Sequence, residues 1–469
     1  MPTSTAPSTS FSTVAGRRNA TRKEVGLVRD LVRDGAGVVA TEGGVVFVAG
    51  ALPGERVRFS VGGKLRGVQR GRLLEVLDPS PDRVDPPCSL VPRCGGCPLM
   101  ILSPEAQREH KAQVASRATR MRTEVARVGG DGSDRAYRRR ARLAFAADAE
   151  GGPTSTSGPK PEPRRRTRRG AKPGPKRAGR ALGYRERQGS KVIDVEACPV
   201  LIAELDTALG HMRSTLLPRL AGRGEIQLAM GAGAPVAWIR AEAPQSADVY
   251  DSMAGLVGEG ALAGAVLGVD GATPARWGDP REHNVSQNGE PVIGAPFGFS
   301  QANGDVNRAL VAQVVEWAAP AGMRVVELYS GHGNLSVELA RGAMSLLCVE
   351  ESPEAAAACR ENIDGRGLEA RVLAMDAADG AGRHRGPADV VVLDPPRTGA
   401  RDAISAIVAL APARIVYVSC DPPTLSRDLG MLREEGYQVA RSAAFDMFPH
   451  TAHVEVVVQL TRDLGEKKR

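Results

Sequence analysis

From residue 300 onward, short aliphatic runs alternate with longer amphipathic ones, and no other feature of the chain restricts its fold as tightly. Arg324–Leu328, Ser345–Val349, Arg371–Ala374, Val390–Leu393 and Arg414–Val418 read as strands. Val306–Ala318, Leu335–Ala340 and Pro353–Asn362 read as helices, and another lies between the last two strands. Strands alternating with helices predict a parallel, doubly wound sheet, an α/β Rossmann-like domain whose ligands bind at the carboxyl ends of the strands. Chemistry is therefore expected in the residues that follow each strand.

The first strand runs into Glu327-Leu-Tyr-Ser-Gly331-His-Gly333-Asn334. A Gly-x-Gly turn there lets backbone approach a ligand closely. It is shorter than the Gly-x-Gly-x-x-Gly of dinucleotide sites, which weighs against a pyrophosphate grip. Glu350 ends the second strand, 17 residues past Gly333, where an acid can accept hydrogen bonds from both hydroxyls of a ribose. Asp376 follows the third strand, beside the place where an adenine edge would rest. The set resembles the way class I methyltransferases hold S-adenosylmethionine. Another Rossmann-like nucleotide binder is the alternative.

After the fourth strand comes Asp394-Pro395-Pro396-Arg397, and the fifth ends in Ser419-Cys420-Asp421-Pro422. A lone Asp-Pro-Pro also suits amino-group methylation of adenine, so that motif is ambiguous. A free cysteine is most often a buried structural residue. At a strand's carboxyl end, with Asp421-Pro422-Pro423 behind it, the Cys420 thiol instead falls at the rim of the expected cleft. Further on, Glu455 lies between Val454 and Val456–Val458. A solvated strand charge is the plain reading. The apolar flanks point instead to burial, which raises a carboxyl pKa and suits it to proton transfer.

Together these groups fit methylation at carbon 5 of a uracil. That carbon is too weak a nucleophile to take a methyl group directly. A thiolate adding at carbon 6 makes the ring an enolate, carbon 5 then attacks a sulfonium methyl, and a base removes the carbon 5 proton so that the thiol leaves. Cys420 is the candidate nucleophile and Glu455 the candidate base, with Asp394 and Arg397 orienting the ring and its developing charge. The target base has to leave its stack to enter such a pocket.

The amino-terminal part is built differently. Val25–Leu31, Val38–Ala40, Val45–Val48, Val57–Val61 and Arg72–Val76 are β-rich and divided by glycine turns. They predict a small barrel, of a kind that often binds oligonucleotides. Residues 81–100 hold prolines and three of the seven cysteines, and Pro104–Arg127 reads as a helix. Mixed α/β sequence continues to about residue 290. Net charge is +8, but ten Lys or Arg and one acid fall within residues 160–180, so the whole excess sits in one arm. Residues 151–181 also lack large apolar side chains, which predicts a disordered insertion. Seven unevenly spaced cysteines in 469 residues fit no disulfide framework and point to a reducing compartment. No apolar run approaches the roughly 18 residues that span a membrane.

At this point the residues resemble the RNA 5-methyluridine (uracil-C5) methyltransferase family along nearly the whole chain. Asp394-Pro-Pro-Arg397, Ser419-Cys420 and His453-Val-Glu455 match its catalytic motifs, which implies Cys420 as nucleophile and Glu455 as base. Gln301, in Phe299-Ser-Gln-Ala-Asn303, resembles a glutamine that contacts cofactor or uracil. Tyr329, Asn334, Glu350, Asp376 and Asp394 match the positions that bind S-adenosylmethionine. Residues 23–82, with Ala51-Leu-Pro-Gly-Glu55 and Ser80-Pro-Asp-Arg83, look like the family's TRAM domain, an RNA-binding β-barrel related to OB folds. Cys88, Cys94, Cys97 and Cys198 are similar to the set that holds a [4Fe-4S] cluster in part of the family. Four cysteines also suit zinc; the resemblance favours iron–sulfur, in a structural role. The implied organisation is a disordered tail at 1–22, the barrel at 23–82, a mixed α/β central domain at 83–290 carrying the cysteines and the insertion, and a methyltransferase domain at 291–469.

The chain departs from the family pattern in three places. Ser330 stands where relatives commonly have Cys. Asp421 replaces the Asn often seen after the nucleophile, adding a charge that raises the thiol pKa. The insertion is not part of the pattern and is expected to act as a phosphate-binding arm. The resemblance implies an enzyme acting on 23S ribosomal RNA, with transfer RNA as the alternative substrate; the chain is expected to be monomeric and cytoplasmic, with no membrane partner. Two other readings remain: an adenine amino-group methyltransferase, which leaves Cys420 and Glu455 without a role, and an RNA-binding or RNA-folding protein with a silent enzyme domain.

Overall fold

In the computed structural model, which describes residues 22–65, 67–130, 132–149, 179–187, 189–296 and 298–462, the alternating segment forms a seven-stranded sheet. Its strands, edge to edge, are Arg371–Ala374, Ser345–Glu350, Arg324–Leu328, Val390–Leu393, Arg414–Ser419, Glu455–Arg462 and Tyr437–Phe445. The first five are parallel. Glu455–Arg462 runs antiparallel to both of its neighbours. Side chains alternate between two cores. Val326, Leu328, Val391, Leu393, Ile415 and Tyr417 pack with Ile404, Ile407, Leu425 and Leu429 on one face. Val325, Val390, Val392, Val416 and Val418 pack with Val306, Leu310, Val314 and Ile363 on the other. Burial on both faces is why these strands are continuously aliphatic. All four residues of Val390–Leu393 are buried, each contributing roughly 1.5–3 kcal/mol relative to exposure. The chain order reverses between Arg324–Leu328 and Val390–Leu393, and at such a switch point a ligand crevice opens beyond the strand ends.

Strands Lys23–Leu31, Ala36–Thr41, Gly44–Ala49, Arg56–Leu65 and Val68–Asp78 close into a barrel. Val28, Val39, Val46, Val48, Ala51, Val57 and Phe59 fill it. Closure needs Gly26, where an added Cβ would lie 2.4 Å from Val39 Cγ1. Glu55 is buried and accepts from the Leu52 N–H at 2.8 Å and the Ser80 N–H at 3.3 Å, which ties the Ala51–Glu55 turn to the end of the barrel segment.

Residues from Asp82 onward form one compact unit. Its second sheet, edge to edge, is Ala275–Gly278, Gly264–Val269, Pro235–Ala241, Arg223–Met230, Arg140–Ala149, Gly179–Arg185 and Val192–Asp194. Leu205 and Leu209 of the helix Ala203–His211, and Val249, Met253 and Leu256 of Ala247–Gly258, cover one face. The hairpin Glu282–Val285 with Pro291–Gly294 then leads into the first, largely parallel sheet. Residues 1–21 of the expected tail and 151–178 of the expected insertion lie outside the described residues. Gly179–Ala181, expected in the insertion, instead begin a strand paired with Arg140–Ala149, because Ala181 and Leu182 are buried there.

The helix expected over Pro104–Arg127 stops at Thr119. Ser103 caps its start, accepting from the Ala106 N–H at 3.3 Å. At the other end Arg120 turns left-handed with φ 57°, and Ser116 Oγ accepts from the Thr123 N–H at 2.9 Å. Hydroxyls that capture backbone in this way compete with helix continuation. The chain then runs beside Ala444, with the Ala126 N–H donating to its carbonyl at 2.8 Å and the Ala444 N–H to Glu124 O at 2.9 Å. Ala115 thereby enters the core beneath the largely parallel sheet.

Candidate active site

Three backbone positions in the turn after Arg324–Leu328 have positive φ: Tyr329 at 61°, Gly331 at 57° and Gly333 at 95°. At Gly333 an added Cβ would also lie 3.3 Å from Cys359 Sγ. Glu350 braces the turn: its Oε2 accepts from the Gly331 N–H and its Oε1 from the Ser352 N–H, both at 2.9 Å. A carboxylate has about four lone-pair sites, so acceptor capacity remains for ribose hydroxyls. Asn334 exchanges side-chain hydrogen bonds with Asn307 at 2.8 and 3.0 Å, tying the turn to the helix Gly304–Ala318. Asp376 caps the helix Ala377–Ala381 through Oδ1. Burial, and then the charge of Asp376, push the Tyr329 hydroxyl up to about 12, so these two residues share one rim. Gln301 is buried, and its Oε1 finds no hydrogen-bond partner among the described residues. An orphaned acceptor, a glycine turn and an acid at the next strand end offer hydrogen-bonding groups that suit an adenosyl cofactor.

Three neighbouring strands bring the expected chemical groups together. Asp394 follows Val390–Leu393 and Cys420 follows the adjacent Arg414–Ser419. Glu455 opens the antiparallel strand whose next residue, Val456, pairs with Ser419. The three positions therefore lie at one end of the sheet, about 5 Å apart per strand step. Their electrostatics reflect that proximity. Burial pushes Glu455 up to about 8, with Asp394 adding and Arg397 opposing. Burial alone raises Asp394 to about 7. Cys420 is pushed up to about 11 by burial, then by Glu455 and Asp394, against Arg397. Asp421 adds to that rise, as expected from its charge, and its Oδ1 caps the helix Pro422–Glu434 by accepting from the Thr424 N–H at 3.2 Å. Burial thus favours the protonated form of each group, and a substrate that changes the local charge shifts that balance.

Cys88, Cys94, Cys97 and Cys198 line one small pocket, with Arg138 and Tyr184 in its wall. Among the described residues no group of three or more His, Cys, Asp or Glu is arranged to hold a metal ion. The chemistry of the set nonetheless suits a thiolate-ligated group, because a guanidinium faces the thiols and offsets their charge.

The supports of the loop before Glu455 escaped the sequence reading. Lys111 is fully buried; its Nζ pairs with Asp446 and donates to Phe448 O at 3.1 Å. Gln107 Oε1 accepts from the His450 N–H, and His450 O from the Leu99 N–H, each at 2.8 Å. Lys111 and Gln107 sit in a helix rich in charge, where each reads as solvent-facing, so nothing local marks them.

Residues 385–463 match the family described as tRNA (Uracil-5-)-methyltransferase, and residues 291–416 match the methyltransferase small domain. A 23S rRNA (uracil(1939)-C(5))-methyltransferase RlmD of Shewanella amazonensis is 33% identical over 434 residues, 90% of this chain and 91% of the relative. The protein of the same name from Alkalilimnicola ehrlichii is 34% identical over 451 residues, covering 93% and 96%. Among solved structures, the Pyrococcus abyssi tRNA (uracil-54, C5)-methyltransferase in complex with S-adenosyl-L-homocysteine shares the fold. Its TM-score is 0.70 at 23% identity, over 93% of this chain and 99% of that one.

Proposed function

This chain belongs to the RNA uracil-C5 methyltransferase family, and on that premise we propose that it methylates carbon 5 of a uridine in 23S ribosomal RNA, with Cys420 as nucleophile and Glu455 as base. The observation that carries the assignment of roles is the convergence of Cys420, Glu455 and Asp394 at the ends of three adjoining strands. S-adenosylmethionine supplies the methyl group, carried on a cationic sulfonium. Gln301, Tyr329, Asn334, Glu350, Asp376 and Asp394 are the residues assigned to hold it. The Cys420 thiol releases its proton to solvent as its sulfur bonds to carbon 6 of the flipped uracil, and the ring electrons gather at carbon 5 and on O4. Carbon 5 takes the methyl group as the sulfonium's methyl–sulfur bond breaks and leaves a neutral thioether; Glu455, in its ionised form, then takes the carbon 5 proton, the ring electrons re-form the double bond, and the carbon 6–sulfur bond breaks. A carboxyl held near pH 8 is a stronger base than an exposed one, which suits this step. Arg397, which opposes the rise of both Cys420 and Glu455, stabilises the charged forms each must pass through.

The relatives named for uracil 1939 support the ribosomal substrate, which in turn implies work in the cytoplasm, and the enzyme is read as a monomer. No helix among the described residues is long and apolar enough to cross a membrane. The four-cysteine pocket is assigned to a [4Fe-4S] cluster in preference to zinc. Its role is structural, because the reaction contains no redox step.

The test is transfer of labelled methyl from S-adenosylmethionine to unmodified 23S and transfer RNA, separately, with Cys420→Ala alongside. Label recovered as 5-methyluridine in 23S RNA and absent from the variant supports the reading. Label only in transfer RNA overturns the substrate, and an active Cys420→Ala overturns the mechanism. Uridine replaced by 5-fluorouridine has no proton for Glu455 to remove, so it should trap enzyme on RNA through Cys420.

A further inference from the structure

The segment Gly298–Asn303 joins the Glu282–Gly294 hairpin to the helix Gly304–Ala318 and carries Gln301. It is held by groups that the reaction does not use. Arg140 donates to the Gly298 carbonyl, and its guanidinium lies 6.0 Å from the centre of the exposed Phe299 ring. The Ser300 hydroxyl donates to Glu282, a carboxyl only 3% exposed that also lies 4.0 Å from Arg140. The Arg139 N–H donates to Ala302 O at 2.8 Å. The remaining restraint comes from the cofactor turn itself. His332, the middle residue of Gly331-His332-Gly333, is 7% exposed and hydrogen-bonds the Phe299 carbonyl. Its Nε2 faces the Asn284 amide nitrogen at 3.3 Å.

These contacts select one form of the imidazole. Asn284 donates to Nε2, which leaves Nδ1 to carry the hydrogen and donate to Phe299 O. A protonated ring would oppose the Asn284 N–H and add a cation beside Arg140. Burial and the Arg140 charge push the His332 pKa down to about 4, so the ring is neutral across the working range. The backbone at the same residue is tied as well. Asn362 Nδ2 donates to His332 O at 2.8 Å, while its Oδ1 accepts from the Ile293 N–H of the hairpin at 2.9 Å. The cofactor turn, the hairpin and the segment bearing Gln301 are thus one hydrogen-bonded body with His332 at its centre.

We propose that His332 is a positioning residue that couples the cofactor turn to the segment Gly298–Asn303, which carries Gln301, so that filling the cofactor site tightens the grip on RNA. The proposal rests on the reading of Gln301 as a substrate or cofactor contact. A cofactor that orders the turn orders His332, and through the Phe299 carbonyl it fixes the segment on which Gln301 and the Phe299 ring are presented. The RNA then meets a segment already ordered. By linkage, RNA must tighten the cofactor by the same factor.

The experiment measures the Kd of full-length protein for an unmodified 23S RNA transcript with and without saturating S-adenosylhomocysteine, so that no chemistry intervenes. The wild type should bind RNA roughly tenfold more tightly with the ligand present. His332→Leu, which removes both side-chain bonds, should lose that enhancement while keeping its ligand-free RNA affinity. His332→Gln, which keeps a donor and an acceptor, should recover part of it. Should His332→Leu fail to fold, Asn284→Val removes only the donor that fixes the tautomer and should show the same loss. Wild-type enhancement in either folded variant, or no enhancement in the wild type, overturns the coupling. Failure of the wild type to bind either 23S or transfer RNA is a different result. It removes the substrate reading, and the proposal with it.

Discussion

Replacing Glu455 with Gln should make the protein more stable at alkaline pH while stopping it from completing turnover. Glu455 is 4% exposed. Burial and the neighbouring Asp394 carboxyl move its pKa from 4.5 to about 8 in the folded chain. Below pH 4.5 the folded and unfolded chains both keep the proton, and the group exerts no pH-dependent effect. Between 4.5 and about 8 the unfolded chain ionises while the folded chain does not, so stability falls as pH rises. Above about 8 the loss is complete. At 1.36 kcal/mol per pH unit, the penalty is about 3 kcal/mol at pH 7 and about 5 kcal/mol on the plateau. The protonated carboxyl and the amide lose comparable hydration on burial, so Glu455→Gln should gain about 5 kcal/mol on the plateau and nothing below pH 4.5. Each kcal/mol raises Tm by roughly 2–4 °C in a domain of 150–250 residues, and by less in the larger unit that begins at Asp82. Thermal melts of both proteins at a series of pH values read this directly. A Tm difference that does not change with pH, or a variant less stable at pH 9, would refute the buried, proton-holding carboxyl. In the same preparation, denaturing gels should show RNA held covalently, because the variant forms the Cys420 bond but cannot remove the carbon 5 proton. Normal turnover would exclude Glu455 as the base.

Three further outcomes are expected. Lys111→Met strands Asp446 without its buried partner and should cost roughly 3–5 kcal/mol, seen as an earlier denaturant midpoint; an unchanged midpoint would mean that the pair does not secure the loop before Glu455. Cys97→Ser should lower iron and sulfide content after anaerobic reconstitution, whereas equal content in wild type and variant would remove the cluster assignment. Deleting residues 151–180 should flatten the dependence of RNA binding on salt by about 0.7 in log–log slope for each single-strand phosphate that the arm neutralises, and an identical slope would reduce the arm to a linker.

The parallel sheet was legible because its strands are buried on both faces, so each appears as a largely apolar run. Asp394 and Cys420 were legible because they end such runs, and a cleft in this architecture opens at those ends. Glu455 could be suspected from its apolar flanks. Its meeting with Cys420 depends on Glu455–Arg462 returning antiparallel between Arg414–Ser419 and Tyr437–Phe445, an adjacency that no local pattern encodes. The same holds for the supports. Gln107 meets His450 across 343 residues of chain, and Lys111 looks like any charged residue of a polar helix until Asp446 is beside it. The helix expected to reach Arg127 stops at Thr119 because hydroxyls and the partner strand at Ala444 outweigh helix propensity. The imidazole of His332 likewise takes its neutral tautomer from Asn284 and the Phe299 carbonyl. Periodicity and strand-end residues are properties of neighbours in sequence, so the chain alone determined the sheet and its candidate nucleophile. Proton affinities and supports arise from desolvation and long-range contact, so only the tertiary structure decided how the site is held.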